Sequence, residues 1–288
     1  MHCAKALLIL WASLAAASDF SGSSALKFTG KAVEFGPRPP GSPAIRKLQQ
    51  YILSNLKQWG CEVIEDNFTA QTPKGAVGMK NIIARFRGTS GRAIAITGHY
   101  DTKLFTGFRF VGANDGGAST GFLLETARVL AGKPRKDDVY LVWFDGEEAF
   151  GEWSDTDGIY GSRHLAAKWA ADGTASRFKA LINVDMIGDK DLKIPKELNS
   201  TAALGRLVWQ VAADLGYGRR FPNETIAIED DHMPFRRIGM PALNLIDFSY
   251  GPDHSWWHTP ADTMDKVSSE SLQIVGDVLL ETIKRLEQ

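Results

Sequence analysis

Val139-Tyr140-Leu141-Val142-Trp143-Phe144-Asp145-Gly146-Glu147-Glu148 is the stretch on which the reading of this chain turns. A continuous apolar run stopped at once by carboxylates reads as a strand buried on both faces, and such a strand needs helices above and below it. Ala93 to Thr97 has the same form and ends in Gly98-His99-Tyr100-Asp101. Leu181 to Val184 ends in Asp185, and Ala242 to Ile246 leads into an aromatic loop that closes at His258. Helical periodicity fills the intervals, over Ser119 to Leu130, Tyr160 to Trp169, Thr201 to Leu215 and Ser268 to Leu286. Nearer the start, Ser42 can cap a helix with Pro43 at its first position, and Ile45, Leu48, Tyr51, Ile52 and Leu56 give it one apolar face up to Gly60. Cys61 to Phe68 and Lys80 to Phe86 alternate as strands. Strands alternating with helices predict an α/β fold: a single domain over residues 26–288, three layers α/β/α, with a mostly parallel mixed central sheet flanked by helices.

Composition narrows the function. A length of 288 residues with 44% hydrophobic and 23% charged side chains is an ordinary globular balance. Thirty-three Lys and Arg against thirty-four Asp and Glu leave a net charge of −1, which argues against a nucleic-acid partner. Two cysteines, Cys3 and Cys61, exclude a disulfide scaffold and a cysteine-rich metal cluster. No apolar run reaches the roughly 18 residues needed to span a bilayer. Residues 1–18 run from a basic start through apolar Ala6 to Ala17 to small residues, the order of a secretory signal, so the mature chain is expected to be secreted or periplasmic. Asp19 to Ser24 then reads as a loose mature terminus. Removal of Cys3 leaves Cys61 alone, read as a small buried apolar residue. Asn67, Asn199 and Asn223 sit in sequons, which matter only in a host that glycosylates exported proteins.

In a parallel sheet, chemistry gathers in the loops beyond the carboxyl ends of the strands. His99, Asp115, Glu148, Asp185 and His258 all fall there, with Glu147 beside Glu148. Nitrogen and carboxylate donors without thiolate suit a catalytic zinc. A neighbouring glutamate that is not a ligand is placed to move protons. Singly, each residue has an ordinary explanation as a cap or a solvated charge; jointly, at successive strand ends, they point to one cleft. Gly112 to Gly117 lacks the spacing of a phosphate cradle and fits a close approach of backbone to a metal site instead. Gly161-Ser162-Arg163-His164 lacks the nucleophile elbow of a serine hydrolase, and His164 is not expected to be a ligand.

Three segments carry a resemblance. They are Phe144-Asp145-Gly146-Glu147-Glu148-Ala149-Phe150 with Trp153 and Tyr160 to Leu165; Glu229-Asp230-Asp231-His232-Met233-Pro234-Phe235 with Arg236-Arg237; and Trp257-His258-Thr259. From the proline-rich loop at Phe35 to Pro43 through the C-terminal helix, the chain resembles the zinc-dependent aminopeptidase superfamily. Within it, the chain is similar to the animal-type glutaminyl-peptide cyclotransferases (glutaminyl cyclases). The resemblance implies one zinc held by Asp115, Glu148 and His258, and Glu147 as general acid/base. It implies that Asp185 and Asp230 form a hydrogen-bonded carboxylate network with Glu147, and that Trp153, Trp257 and Phe248 wall the substrate pocket. The implied reaction converts N-terminal glutamine of peptides or proteins to pyroglutamate with release of ammonia, zinc polarising the γ-amide carbonyl, in a chain expected to be monomeric. Some residues depart from that pattern. Gly98 precedes His99 with no cysteine nearby, where the vertebrate enzymes carry a disulfide, and Asn244 stands where the cyclases place a histidine beside Asp230. The segment Asp247 to Trp256 is longer than in the cyclases, and Thr259-Pro260-Ala261-Asp262-Thr263 is closer to the peptidases. Two alternatives follow. One is a secreted two-zinc aminopeptidase with His99 and Asp185 as ligands of a second ion; the other is a non-catalytic binding domain of the same fold, which should have lost ligands or the glutamate base.

Overall fold

The apolar runs become the centre of one six-stranded sheet. In chain order the strands are β1 (Glu62–Thr72), β2 (Gly75–Phe86), β3 (Ala93–His99), β4 (Asp138–Phe144), β5 (Phe178–Asp185), the short pair β6 (Lys196–Glu197) and β7 (Thr225–Ile226), and β8 (Ala242–Ile246). The computed structural model describes residues 19–288; the segment 1–18 read as a signal lies outside the described residues. The sheet order is β1-β2-β4-β3-β5-β8. β4, β3, β5 and β8 run parallel, and β2 lies antiparallel to both β1 and β4. β3 and β4 are buried along their whole length, as their unbroken apolar character requires. The β1–β2 hairpin is longer than its alternating core, continuing through Thr72 and Gly75 as an exposed ribbon.

Alternate side chains of each strand face opposite layers. Ile94, Ile96, Leu141, Trp143, Ile182 and Val184 pack under five helices: α1 (Gly22–Glu34), α2 (Pro43–Leu56), α3 (Gly117–Leu130), α5 (Ala202–Asp214) and α7 (Ser269–Leu286). Ala93, Ala95, Tyr140, Val142 and Phe144 pack under α4 (Tyr160–Ala171) and α6 (His232–Arg237). The result is the expected three-layer α/β/α domain. Ser42 caps α2 through its hydroxyl, with Pro43 in the first turn. Among the described residues no helix is long and apolar enough to cross a membrane.

Asp19 to Ser24 is not a loose terminus. Ser21 caps α1, its amide donates to Glu125 at 2.8 Å, and the Gly22 amide donates to Gln273 at 2.8 Å. Phe20 is buried with its ring centroid 5.1 Å from that of Phe122. The small polar residues that suggested a tail are the cap and first turn of a helix, and their partners lie more than 100 residues away in sequence. Cys61 is half-buried rather than a core residue and is a free thiol.

Candidate active site

The carboxyl ends of β3, β4, β5 and β8 open into one cavity of about 420 Å³ lined by Glu147, Glu148, Asp185, Asp230, Trp153, Phe248, Trp257 and His258. A larger open groove of about 680 Å³ lies on the far side against α3 and α7 and gathers no comparable set of catalytic side chains.

Five of the strand-end residues form two triads that share Asp115. His258 Nε2 lies 3.3 Å from Asp115 and 3.2 Å from Glu148. His99 Nε2 lies 3.1 Å from both Asp115 and Asp185. In each triad, Asp115–Glu148–His258 and His99–Asp115–Asp185, the donor atoms lie within 4.8 Å of one another. Asp115 Oδ2 and His99 Nδ1 are buried without a hydrogen-bond partner. Oxygen and nitrogen donors converging on a small volume, some of them unsatisfied, are what a zinc ion fits.

Local backbone geometry explains how the side chains meet. Gly116 has φ of 79°, and a Cβ there would lie 2.4 Å from the Asp101 carbonyl and 3.1 Å from the His99 ring. Only glycine lets Asp115 come this close to β3. Met186, directly after Asp185, and His258 itself hold positive φ, at 47° and 53°. Such strain in non-glycine residues persists where the surroundings over-determine it, and it concentrates at working sites. Trp257 stacks on the His258 ring at 4.1 Å and Phe248 packs against Trp257 at 4.9 Å, which fixes the imidazole from one side.

The charges are crowded. Burial pushes Glu147 well above the usual carboxylate range despite His99 nearby, with Glu148, Asp230 and Asp231 adding to the rise. Burial also raises Glu148, with Asp115 reinforcing it, and brings Asp185 up to about 7. Asp115 moves the other way: burial opposes it, but the His258 and His99 rings beside it hold it ionised. Burial lowers His258, but Glu148 and Asp115 outweigh that and bring it up to about 10.

The carboxylate network differs from the one the resemblance implies. Among the described residues no hydrogen bond joins Glu147 to Asp185 or Asp230. Asp185 bonds to His99 at 3.1 Å. Asp230 accepts from Asn183 at 3.1 Å and from Asn244 at 2.7 Å. A carboxylate finds an N–H donor more favourable than a second carboxylate, and Asn244 supplies one where the cyclases carry a histidine.

Several residues that hold the site went unassigned in the sequence. The Asp101 carboxylate accepts from the Glu147 amide at 3.1 Å and the Glu148 amide at 3.3 Å. Asp262 accepts from the Asn114 and Asp115 amides and from the Tyr250 hydroxyl. Arg38, fully buried, donates to the carbonyls of Tyr100, Val111 and Gly112. Asp101 and Asp262 lie within motifs already noted; Arg38 lies in the proline-rich loop, where nothing local marks it. His164 stacks on Phe68 at 4.3 Å, outside the cavity.

Comparison with known proteins agrees with this geometry. Residues 81–283 match the model of peptidase family M28. A glutaminyl-peptide cyclotransferase of Drosophila melanogaster is 32% identical over 268 residues, covering 83% of this chain and 75% of that protein. The chain belongs to the glutaminyl cyclase family. The crystal structure of a glutaminyl cyclase from an Acidobacteriales bacterium superposes with a TM-score of 0.92 at 40% identity, over 99% of each chain. A Zn-dependent exopeptidase from Parabacteroides distasonis superposes with a TM-score of 0.83 at 28% identity, over 93% of this chain and 99% of that one. The cyclase family and the exopeptidases thus share one scaffold, and the contents of the cavity have to separate them.

Proposed function

We propose that this chain converts N-terminal glutamine of peptides or proteins to pyroglutamate and releases ammonia. The observation that carries the reading is the cavity itself: Trp153, Phe248 and Trp257 line the space in front of Glu147 and the Asp115–Glu148–His258 triad. In the reaction the substrate's own α-amine forms a bond to its γ-amide carbon, and the amide C–N bond breaks. Nucleophile and electrophile belong to one residue, so the protein has to fold that side chain back and move a proton. Glu147, held above the usual range by burial, accepts the amine proton and returns it to the departing nitrogen as ammonia leaves. The aromatic walls exclude water, the competing nucleophile. Asp115, Glu148 and His258 would hold one zinc, which when bound supplies a Lewis acid for the carbonyl. Asp185 and Asp230 shape the field around Glu147, each anchored by its own N–H donor. The motifs around Trp153 and Asp230 support placing the chain with the animal-type enzymes, and residues 1–18 support export to the periplasm or outside the cell; the working unit in this reading is a monomer.

A second reading rests on the other triad. His99, Asp115 and Asp185 fit a second ion, as a two-zinc aminopeptidase needs. The non-catalytic reading loses support because Asp115, Glu148, His258 and Glu147 are all present. Peptides beginning with Gln, Glu, Leu or Ala, followed by mass spectrometry, decide between them. Loss of ammonia from the Gln peptide without chain cleavage, with one zinc per chain that His258→Ala removes, is the expected result. Release of free Leu at a comparable rate, with two zinc ions per chain, would overturn it in favour of the peptidase.

A further inference from the structure

The loop from Ala149 to Gly158 brings Trp153 to the mouth of the cavity, and packing alone does not hold it there, since Trp153 is 43% exposed. What closes the loop is the carboxylate of Asp157, itself only 4% exposed. Its Oδ1 accepts from the Phe150 amide at 2.8 Å and from the Tyr160 hydroxyl at 2.8 Å, and its Oδ2 accepts from the Gly151 amide at 2.8 Å. The backbones of Ser154 and Asp157 also bond to each other in both directions, at 3.1 and 3.2 Å, which closes the turn just beyond Trp153. The indole rests on Gly158: with φ of 124°, a Cβ at that position would lie 3.1 Å from two of its ring carbons. The loop then returns to the backbone of Gly146 and Glu147. The Ile159 amide donates to the Glu147 carbonyl at 2.7 Å and the Tyr160 amide to the Gly146 carbonyl at 2.8 Å. Ile159 is held at φ of 44° to make this return, a conformation a β-branched residue adopts only under constraint.

We propose that Asp157 is a positioning residue that sets Trp153 as a wall of the substrate site, so that it governs substrate binding and leaves proton transfer to Glu147. This rests on the reading that Trp153 walls the glutaminyl site. Without the carboxylate, the amides of Phe150 and Gly151 lose their acceptor, and a half-exposed tryptophan has too little buried contact to keep its place.

Asp157→Asn keeps the shape but replaces one acceptor oxygen with an NH₂ group that faces an N–H. In the zinc-loaded full chain it should raise KM for a Gln-initiated peptide about tenfold while kcat stays within about threefold. Trp153→Ala should raise KM similarly. Because Asp157 acts through Trp153, adding Asp157→Asn to the Trp153→Ala chain should then change KM by less than about twofold. Tyr160→Phe removes one of the three bonds and leaves both amides served; it should give a smaller KM rise in the same direction, and it carries the test if Asp157→Asn does not fold. An unchanged KM in the folded Asp157→Asn chain, a loss confined to kcat, or full additivity with Trp153→Ala would overturn the positioning role alone. An unchanged KM in Trp153→Ala would overturn the substrate-wall reading and this inference with it.

Discussion

Replacing Glu147 with Gln separates the chemistry of the site from its construction. Among the described residues no hydrogen bond ends on the Glu147 carboxylate, and the imidazole facing it, through His99 Nδ1, is 3.9 Å away. The bond from the Glu147 amide to Asp101 belongs to the backbone and survives the change. Burial disfavours the charged form of Glu147, and Glu148, Asp230 and Asp231 add to this against the pull of His99, so a neutral isostere fits the site. The cost in stability should therefore stay within about 0.5 kcal/mol, a shift in Tm of roughly 1–2 °C for a chain of this size. The cost in rate is of another order. General acid–base catalysis contributes about 10²- to 10⁴-fold, or roughly 3–5 kcal/mol of barrier, and Gln cannot take up the amine proton. The assay is steady-state ammonia release from a Gln-initiated peptide, with zinc content and thermal unfolding measured on the same sample. Expected are a kcat lower by about 100-fold or more, unchanged zinc and a Tm within about 2 °C of the parent. A kcat within about threefold of the parent would refute the proton-relay role. A loss of activity matched by lost zinc or a collapsed Tm would show instead that Glu147 builds the site.

Two further outcomes follow from groups behind the cavity. Arg38→Met leaves the carbonyls of Tyr100 and Val111 buried without that donor, at about 1–3 kcal/mol each, while Gly112 keeps the Gly117 amide, so Tm should fall by roughly 5 °C or more; a Tm within about 2 °C of the parent would contradict that accounting. Burial, with Asp101 adding to it, brings Asp145 up to about 8. A carboxyl raised in this way keeps its proton in the folded chain while the unfolded chain loses it near pH 4, so it contributes stability on the acid side that is lost progressively as pH rises to about 8. Chemical denaturation from pH 5 to 8 should show stability falling with pH, and Asp145→Asn should flatten that slope; an equally steep slope in the variant would remove Asp145 as its source.

Much of this molecule is determined by local pattern. Unbroken apolar runs at 93–97 and 139–144 had to become central strands, because a segment apolar on both faces has nowhere else to go. Once those strands are parallel, His99, Glu147, Glu148 and Asp185 necessarily project from one edge, and Trp257-His258 follows the last strand to the same edge. Tertiary structure alone decided the rest. That Asp115 is shared by two triads depends on ångström distances among separate chain segments, which no spacing encodes. That Asp19 to Ser24 starts a helix depends on Glu125 and Gln273 reaching back across the chain to its first amides. Arg38, Asp101 and Asp157 look like ordinary charged loop residues, and their roles come from backbone groups they meet only after folding, where a buried donor or acceptor has to be satisfied.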